Sequence, residues 1–320
     1  RAPFRLCAFA SSRIAGRGRV LSGPLSVLCA SFVQRTAPFV PCFLRVPEGL
    51  FRRVFFFSAF LRRGYGVLSQ MPVKSVRVGS LVIGGARPRI IVPLTSSSLK
   101  ELEEEAARLS SLPADMAEWR VDMFGAPGAV DESAVREALF MLRRVLSVPL
   151  LATFRTVDEG GSRPLSEEGY ASLCAMLCES GLVDLLDVEA FFRSGEARNI
   201  IARAHACRVP VVASNHDFHA TPPREEIVRR LLFMQNELGA DVAKMAVMPQ
   251  SRADVLTLMS ATEEAFSRAE VPLITMSMGP LGVISRVSGG FFGSAATFGA
   301  ADFVAAEDTR VTMRLLNYTQ

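Results

Sequence analysis

The sequence predicts an α/β chain of the (β/α)8 (TIM) barrel class, with a short N-terminal β-hairpin and a basic extension ahead of it. Three observations carry this. Beyond residue 72, strand-like apolar runs alternate with amphipathic stretches in eight strand–helix units. The runs are apolar on both faces, as strands of a parallel sheet covered by helices should be. The exceptional polar residues collect at the C-terminal ends of the runs, where barrels of this class keep their reactive groups. An open doubly wound sheet is the alternative, weakened because no Gly-x-Gly-x-x-Gly follows an early strand.

The extension is residues 1–70, and the barrel domain is expected over 71–320. Residues 1–70 carry eleven arginines, no lysine and one acid, Glu48. The chain's formal net charge of +4 therefore belongs to this segment, and the remainder is net acidic. A charge averaged over two unlike pieces is no argument for nucleic-acid binding. With no sustained period of two or 3.6, the segment is expected to be disordered or absent from the native protein. It reads as translated sequence upstream of a start at Met71, as an organellar transit peptide, or as a functional basic arm. Its longest apolar run, "VFFFSAFL", is far short of the roughly twenty residues that span a bilayer.

The elements follow in order. "VRVGSLVIGG" (76–85) reads as the hairpin, closing the barrel floor. "RIIVPL" (89–94) is a strand and "LKELEEEAARLSSL" (99–112) a helix. "ADMAEWRVD" (114–122) precedes a helical 132–147, and "PLLATFR" (149–155) a helical 166–181. "LVDLLDVE" (182–189) precedes 196–208, and "PVVASNHD" (210–217) a helix opened by Thr221-Pro222-Pro223 ahead of two glutamates. "DVAKMAV" (241–247) precedes 252–269. "PLITMSM" (272–278), "GSAATFG" (293–299) and an amphipathic 302–316 close the series. Of six cysteines, three lie in the extension. Cys174 and Cys178 have no Cys or His pair at ligand spacing, so buried reduced thiols rather than a zinc site are expected.

The chemistry is expected at the strand ends. Glu118 and Arg120 are two apart and share one side of their strand, while Trp119 faces the helices. Arg155 ends the third strand, and Glu159 follows it in a loop. Ser214 and His216 share a parity on the fifth strand, and Lys244 lies in the sixth. Met276 and Met278 share a parity on the seventh, with Ser285 and Arg286 after it. His216 and Lys244 fall on neighbouring strands about 5 Å apart laterally. A lone strand His is ordinarily a satisfied core residue. A Lys among Val242, Ala243, Met245, Ala246 and Val247 is different, because a buried ammonium is costly unless it is paired or used. Desolvation and nearby cations favour the neutral, nucleophilic amine. Such a lysine beside a histidine fits imine chemistry on a ketone, with the histidine moving protons at the adjacent carbon. Arg120, Arg155 and Arg286 at one mouth suit a small carboxylate substrate; the alternative places them on solvated helix ends.

At these residues the chain resembles the type I 3-dehydroquinate dehydratases. The motifs are "EWRVD" (118–122), "TFRTVDEGG" (153–161), "SNHDFHATP" (214–222), "GADVAKMAVMPQS" (239–251), "TMSMGPLGVISR" (275–286) and "FGSAATFG" (292–299). The resemblance implies syn elimination of water from 3-dehydroquinate to give 3-dehydroshikimate, a shikimate-pathway lyase reaction serving aromatic amino-acid biosynthesis. It also implies no metal or organic cofactor, a cytoplasmic homodimer, and no nucleic-acid or membrane partner; an organellar location follows instead if 1–70 is a transit peptide. Lys244 resembles the imine-forming lysine, His216 the general acid–base and Glu159 the carboxylate orienting it. Glu118, Arg120, Arg155 and Arg286 resemble the groups holding the substrate's hydroxyls and carboxylate. Met276, Met278 and Phe298 resemble the apolar lining.

Two departures stand out. Pro93 takes a position where some members carry serine. After Phe298 the family's Ala-Pro-Gly-Gln-type loop is expected to be missing, because "GAADFVAAEDTRVTMRLL" runs directly into residues resembling the terminal helix. The alternative function is therefore the same barrel binding its ligand with weak or no turnover. Another imine-forming barrel, such as an aldolase, is the third reading.

Overall fold

The computed structural model describes residues 74–299, except 86, 127, 129, 193 and 194. The expectations for residues 1–70, for the shortened loop beyond Gly299 and for the helix at 302–316 lie outside the described residues.

Val76–Val78 (β1) and Leu81–Ile83 (β2) pair antiparallel. Gly79 has φ +58° at the first of the two turn positions, where a type II′ turn calls for glycine. Eight parallel strands follow: β3 (Arg89–Leu94), β4 (Met116–Arg120), β5 (Leu150–Thr153), β6 (Leu185–Glu189), β7 (Val211–Asp217), β8 (Val242–Val247), β9 (Leu273–Ser277) and β10 (Ala296–Phe298). Each pairs with the next as far as β9, and β10 returns to pair with β3. The ring closes where Leu273 bridges Ser294 and the Ala295 N–H donates to the Leu273 carbonyl at 2.6 Å.

Helices follow the strands: α1 (Leu99–Leu109), α2 (Glu132–Val145), α3 (Glu167–Glu179), α4 (Ala197–Ala206), α5 (Arg224–Asn236), α6 (Arg252–Arg268) and the short α7 (Val283–Ser288). Their starts have local causes. Ser98, Asp131 and Ser166 accept backbone N–H bonds at the N-termini of α1, α2 and α3. Ser251 and Asp254 form a reciprocal capping box on α6, satisfying donors that the first helical turn leaves open. Ser285 and Arg286, expected only to follow the seventh strand, are carried by the helix α7. Six residues are too few for a 3.6-residue period to show.

Strand alternation splits the apolar residues into two cores. Outward residues such as Ile90, Trp119, Ala152, Val188, Ala213 and Met245 pack against the helices. Inward residues Ile91, Met116, Leu151, Leu185, Val212, Val242 and Ile274 fill the barrel, joined from below by Val78 and Ile83 of the hairpin. The hairpin thus plugs the floor. Toward the C-terminal ends of the same strands the inward positions turn polar, at Glu118, Thr153, Asp187, Ser214 and Lys244. Each is no more than 4% exposed. A barrel filled below and polar above can hold a small ligand only at its upper end.

Candidate active site

One cavity of about 290 Å³ opens at that end, and all ten residues to which the resemblance gives a role line it: Glu118, Arg120, Arg155, Glu159, His216, Lys244, Met276, Met278, Arg286 and Phe298. Thr153, Thr95, Pro93 and Phe218 complete much of the wall. A larger groove of about 570 Å³ borders α2, α3 and α4 but is lined by surface Glu and Arg pairs away from the strand ends.

Lys244 is 3% exposed in the middle of β8. Its Nζ lies 3.5 Å from Asp187 Oδ2, 3.8 Å from Glu118 Oε1 and 4.4 Å from the centre of the Phe298 ring. Its nearest partners are thus two anions and an aromatic face rather than a cation. The burial of the ammonium is compensated by pairing and a cation–π contact. Its direct cross-strand partner is also not His216. The register sets Ser214 against Lys244 and His216 against Ala246. His216 stands two residues further up its strand, about 6–7 Å along it, nearer the mouth.

His216 is held from behind. Its Nδ1–H donates to Glu159 Oε2 at 2.9 Å, and its backbone N–H donates to the same oxygen at 3.0 Å. Asn215 Nδ2 donates to the other oxygen at 2.9 Å. Three donors converging on Glu159 make it an acceptor, which places the imidazole proton on Nδ1 and turns a bare Nε2 to the cavity. Burial, with the charges of Arg155, Lys244 and Arg120, pushes His216 well below its usual value, so the ring is neutral near pH 7. Burial also raises Glu159, against Arg155, to about 7. Phe218 lies nearly parallel to His216, with ring centres 6.4 Å apart, and presses on Gly160. Gly160 has φ +83°, and a side chain there would meet the Phe218 ring.

The three arginines differ from one another. The fork of Arg155 is largely engaged by protein: Nη2 donates to Asp187 at 2.7 Å, and Nη1 to Glu189 and Ser214 at 3.0 Å each. At 3% exposure it is the hub of a buried ion cluster, and it also lines the cavity. Arg120 spends Nε and Nη2 on Asp122, both at 2.9 Å, and keeps Nη1 outside that pair. Arg286, carried by α7, donates to Met276 Sδ at 3.6 Å. Glu118 accepts from Thr153 Oγ1 at 3.0 Å.

Sequence reading missed the supporting residues. Asp187 and Glu189 alternate in the apolar "LLDVE", the same signal that singled out Glu118 and Arg120. Asp122, which anchors Arg120 and the backbone of Arg155 and Ser162, lies beyond the strand end, where alternation carries no information. His219 lies outside the site, exposed, with its backbone N–H on Asp217. Among the described residues, no cluster of His, Cys, Asp and Glu could hold a metal ion, and no helix is long and apolar enough to cross a membrane.

Residues 90–317 match the family model for type I 3-dehydroquinase. The chain belongs to this family. It is 47% identical over 236 residues to the 3-dehydroquinate dehydratase of Salmonella agona strain SL483, covering 73% of this chain and 92% of that one. Identity is again 47%, with 73% and 91% covered, to the 3-dehydroquinate dehydratase of Clostridioides difficile strain 630. Among solved structures, a type I 3-dehydroquinate dehydratase from Clostridium difficile, with covalently modified comenic acid, superposes with a TM-score of 0.73 at 43% identity, over 78% of this chain and 98% of that one. The Enterococcus faecalis 3-dehydroquinate dehydratase gives 0.70 at 41% identity. The family match spans β3 to β10 and so takes in every strand that lines the cavity.

Proposed function

We propose that this chain dehydrates 3-dehydroquinate to 3-dehydroshikimate through an imine on Lys244, as a hydro-lyase of the shikimate pathway. The observation that carries the reading is a buried lysine in one cavity with a neutral histidine whose free nitrogen faces the ligand space.

Lys244 gives up a proton and attacks the substrate ketone, and loss of water leaves a protonated imine. The imine withdraws electrons from the adjacent carbon, whose proton His216 Nε2 accepts. The electron pair left behind expels the β-hydroxyl, and the proton on His216 leaves with it as water. Hydrolysis of the product imine then releases 3-dehydroshikimate and restores the amine. Proton transfer of this kind contributes about 10²–10⁴-fold. Glu159 keeps the imidazole in the working tautomer. Glu118 and Arg120 face the ring hydroxyls, Arg286 the carboxylate, and Arg155 reaches the ligand space from its ion cluster. Met276, Met278 and Phe298 supply a dry wall that strengthens these polar contacts. No metal or organic cofactor enters the scheme. Family resemblance also supports a homodimer working in the cytoplasm.

The test is borohydride reduction of the chain with 3-dehydroquinate, followed by intact mass and peptide mapping. An adduct on Lys244 is expected, and Lys244→Ala loses the adduct and nearly all turnover while remaining folded. Undiminished turnover in that variant would sink the imine mechanism.

A further inference from the structure

We propose that Asp187 is the permanent counter-ion of the nitrogen at Lys244, balancing the ammonium before the reaction and the protonated imine during it. The inference rests on the imine reading above and adds a residue that the reading does not use.

Charge conservation at the nitrogen is the starting point. When a protonated amine condenses with a ketone, the Nζ–carbon bond forms and the carbon–oxygen bond breaks. Two protons leave with the oxygen as water, and one positive charge stays on nitrogen. An anion serving both states must remain ionised and must not move with the ligand. Among the described residues, two carboxylates come within 4 Å of Nζ. Glu118 lines the cavity and is held by one hydroxyl, from Thr153, so it faces the substrate. Asp187 is fully buried and does not line the cavity. Its Oδ1 accepts from Arg155 Nη2 and from Ser214 Oγ, both at 2.7 Å, while Oδ2 faces Nζ at 3.5 Å. Donors from β7 and from the segment just after β5 thus fix one oxygen and aim the other at the lysine.

The surrounding charges agree. Burial alone would push the Asp187 carboxyl up, but Arg155, Lys244 and Ser214 outweigh it and hold it below the usual carboxylate range. The other titratable groups that feel Asp187 are Glu159 after β5 and Tyr170 and Cys174 on α3. Burial raises the last two well above their usual values, so they stay neutral. Glu189, beside Asp187 on β6, is engaged with Arg155 and Thr156. The buried Arg155 hub then has a reason: it keeps a carboxylate ionised beside an imine nitrogen.

The experiment follows trapping against pH in the full chain. Cyanoborohydride reduces the protonated imine selectively, and intact mass counts the Lys244 adduct formed with 3-dehydroquinate. Removing an opposite charge this close shifts a titration by about 1–3 pH units. Asp187→Asn is therefore expected to lose trapping at a pH lower than the parent by that amount, and Asp187→Glu to stay with the parent. At neutral pH kcat of Asp187→Asn drops by about tenfold or more, the equivalent of one such unit, with KM little changed. A purely structural role would lower melting temperature without moving the alkaline edge. A folded Asp187→Asn chain with the parent's edge overturns the proposal. If that variant does not fold, the parent complex decides: the C=N vibration must shift in D2O at neutral pH, and a band indifferent to D2O means an unprotonated imine and overturns the proposal. No adduct on the parent would instead defeat the imine reading itself, before any variant is made.

Discussion

His216→Ala separates the two halves of the reaction, because imine formation is assigned to Lys244 and elimination to the histidine. The structural cost can be worked from the bonds. The variant loses the Nδ1–H bond to Glu159, but Glu159 keeps the residue-216 backbone N–H at 3.0 Å, Asn215 Nδ2 at 2.9 Å and Arg155 Nη1 at 3.5 Å. One lost bond among four is worth about 1–1.5 kcal/mol, a drop of roughly 2–6 °C for a domain of this size. The catalytic cost is larger. Loss of a general acid–base group removes about 10²–10⁴-fold from kcat, equivalent to about 2.7–5.5 kcal/mol of barrier. Steady-state ultraviolet absorbance of the enone product measures kcat, and borohydride trapping under single-turnover conditions measures the adduct. The adduct should form slowly and then persist, with kcat falling far more than binding. A kcat within about tenfold of the parent would refute this reasoning and reassign the base, with Glu159 first in line.

Glu159 and His216 shift in opposite directions and bear on stability at different pH. Glu159, raised to about 7, contributes stability that is complete below its unfolded value of about 4.5 and is lost as pH rises through about 7. His216, depressed, contributes stability present above about 6.5 and lost as pH falls through its folded value. Glu159→Gln removes the first of these, so denaturant midpoints should fall less than the parent's between about pH 5 and 7.5; parallel profiles would contradict it. The acid limb of kcat/KM should lie below about 6.5, and a limb above 7 would contradict a neutral resting histidine. Gly161→Ala drives a Cβ into the Arg155 carbonyl and should cost about 1–3 kcal/mol and most activity, read by melting and turnover together. A chain beginning at Met71 should keep the melting temperature and ligand binding of the full chain, and a large loss of soluble protein would contradict that.

Much of the site was legible in the sequence because a strand alternates. Once a run is taken as a barrel strand, parity alone sends Glu118 inward and Trp119 outward, and the strand's C-terminal end is the reactive one. Lys244 was visible for the same reason, as a cation with no apolar excuse. The sixfold motif resemblance then named the family, which the family match over residues 90–317 bears out. What alternation cannot supply is register between strands and the closing of side chains across the barrel. That Lys244 meets Ser214 rather than His216, that Asp187 reaches it from β6, and that Arg155 is engaged by carboxylates of β6 depend on how eight strands are staggered around a ring. Helix α7 and the position of Asp122 were hidden as well, the one too short for a period and the other past the strand end. Local pattern decides which way a side chain points, whereas the distance between two charges arriving from different strands exists only once the barrel has closed.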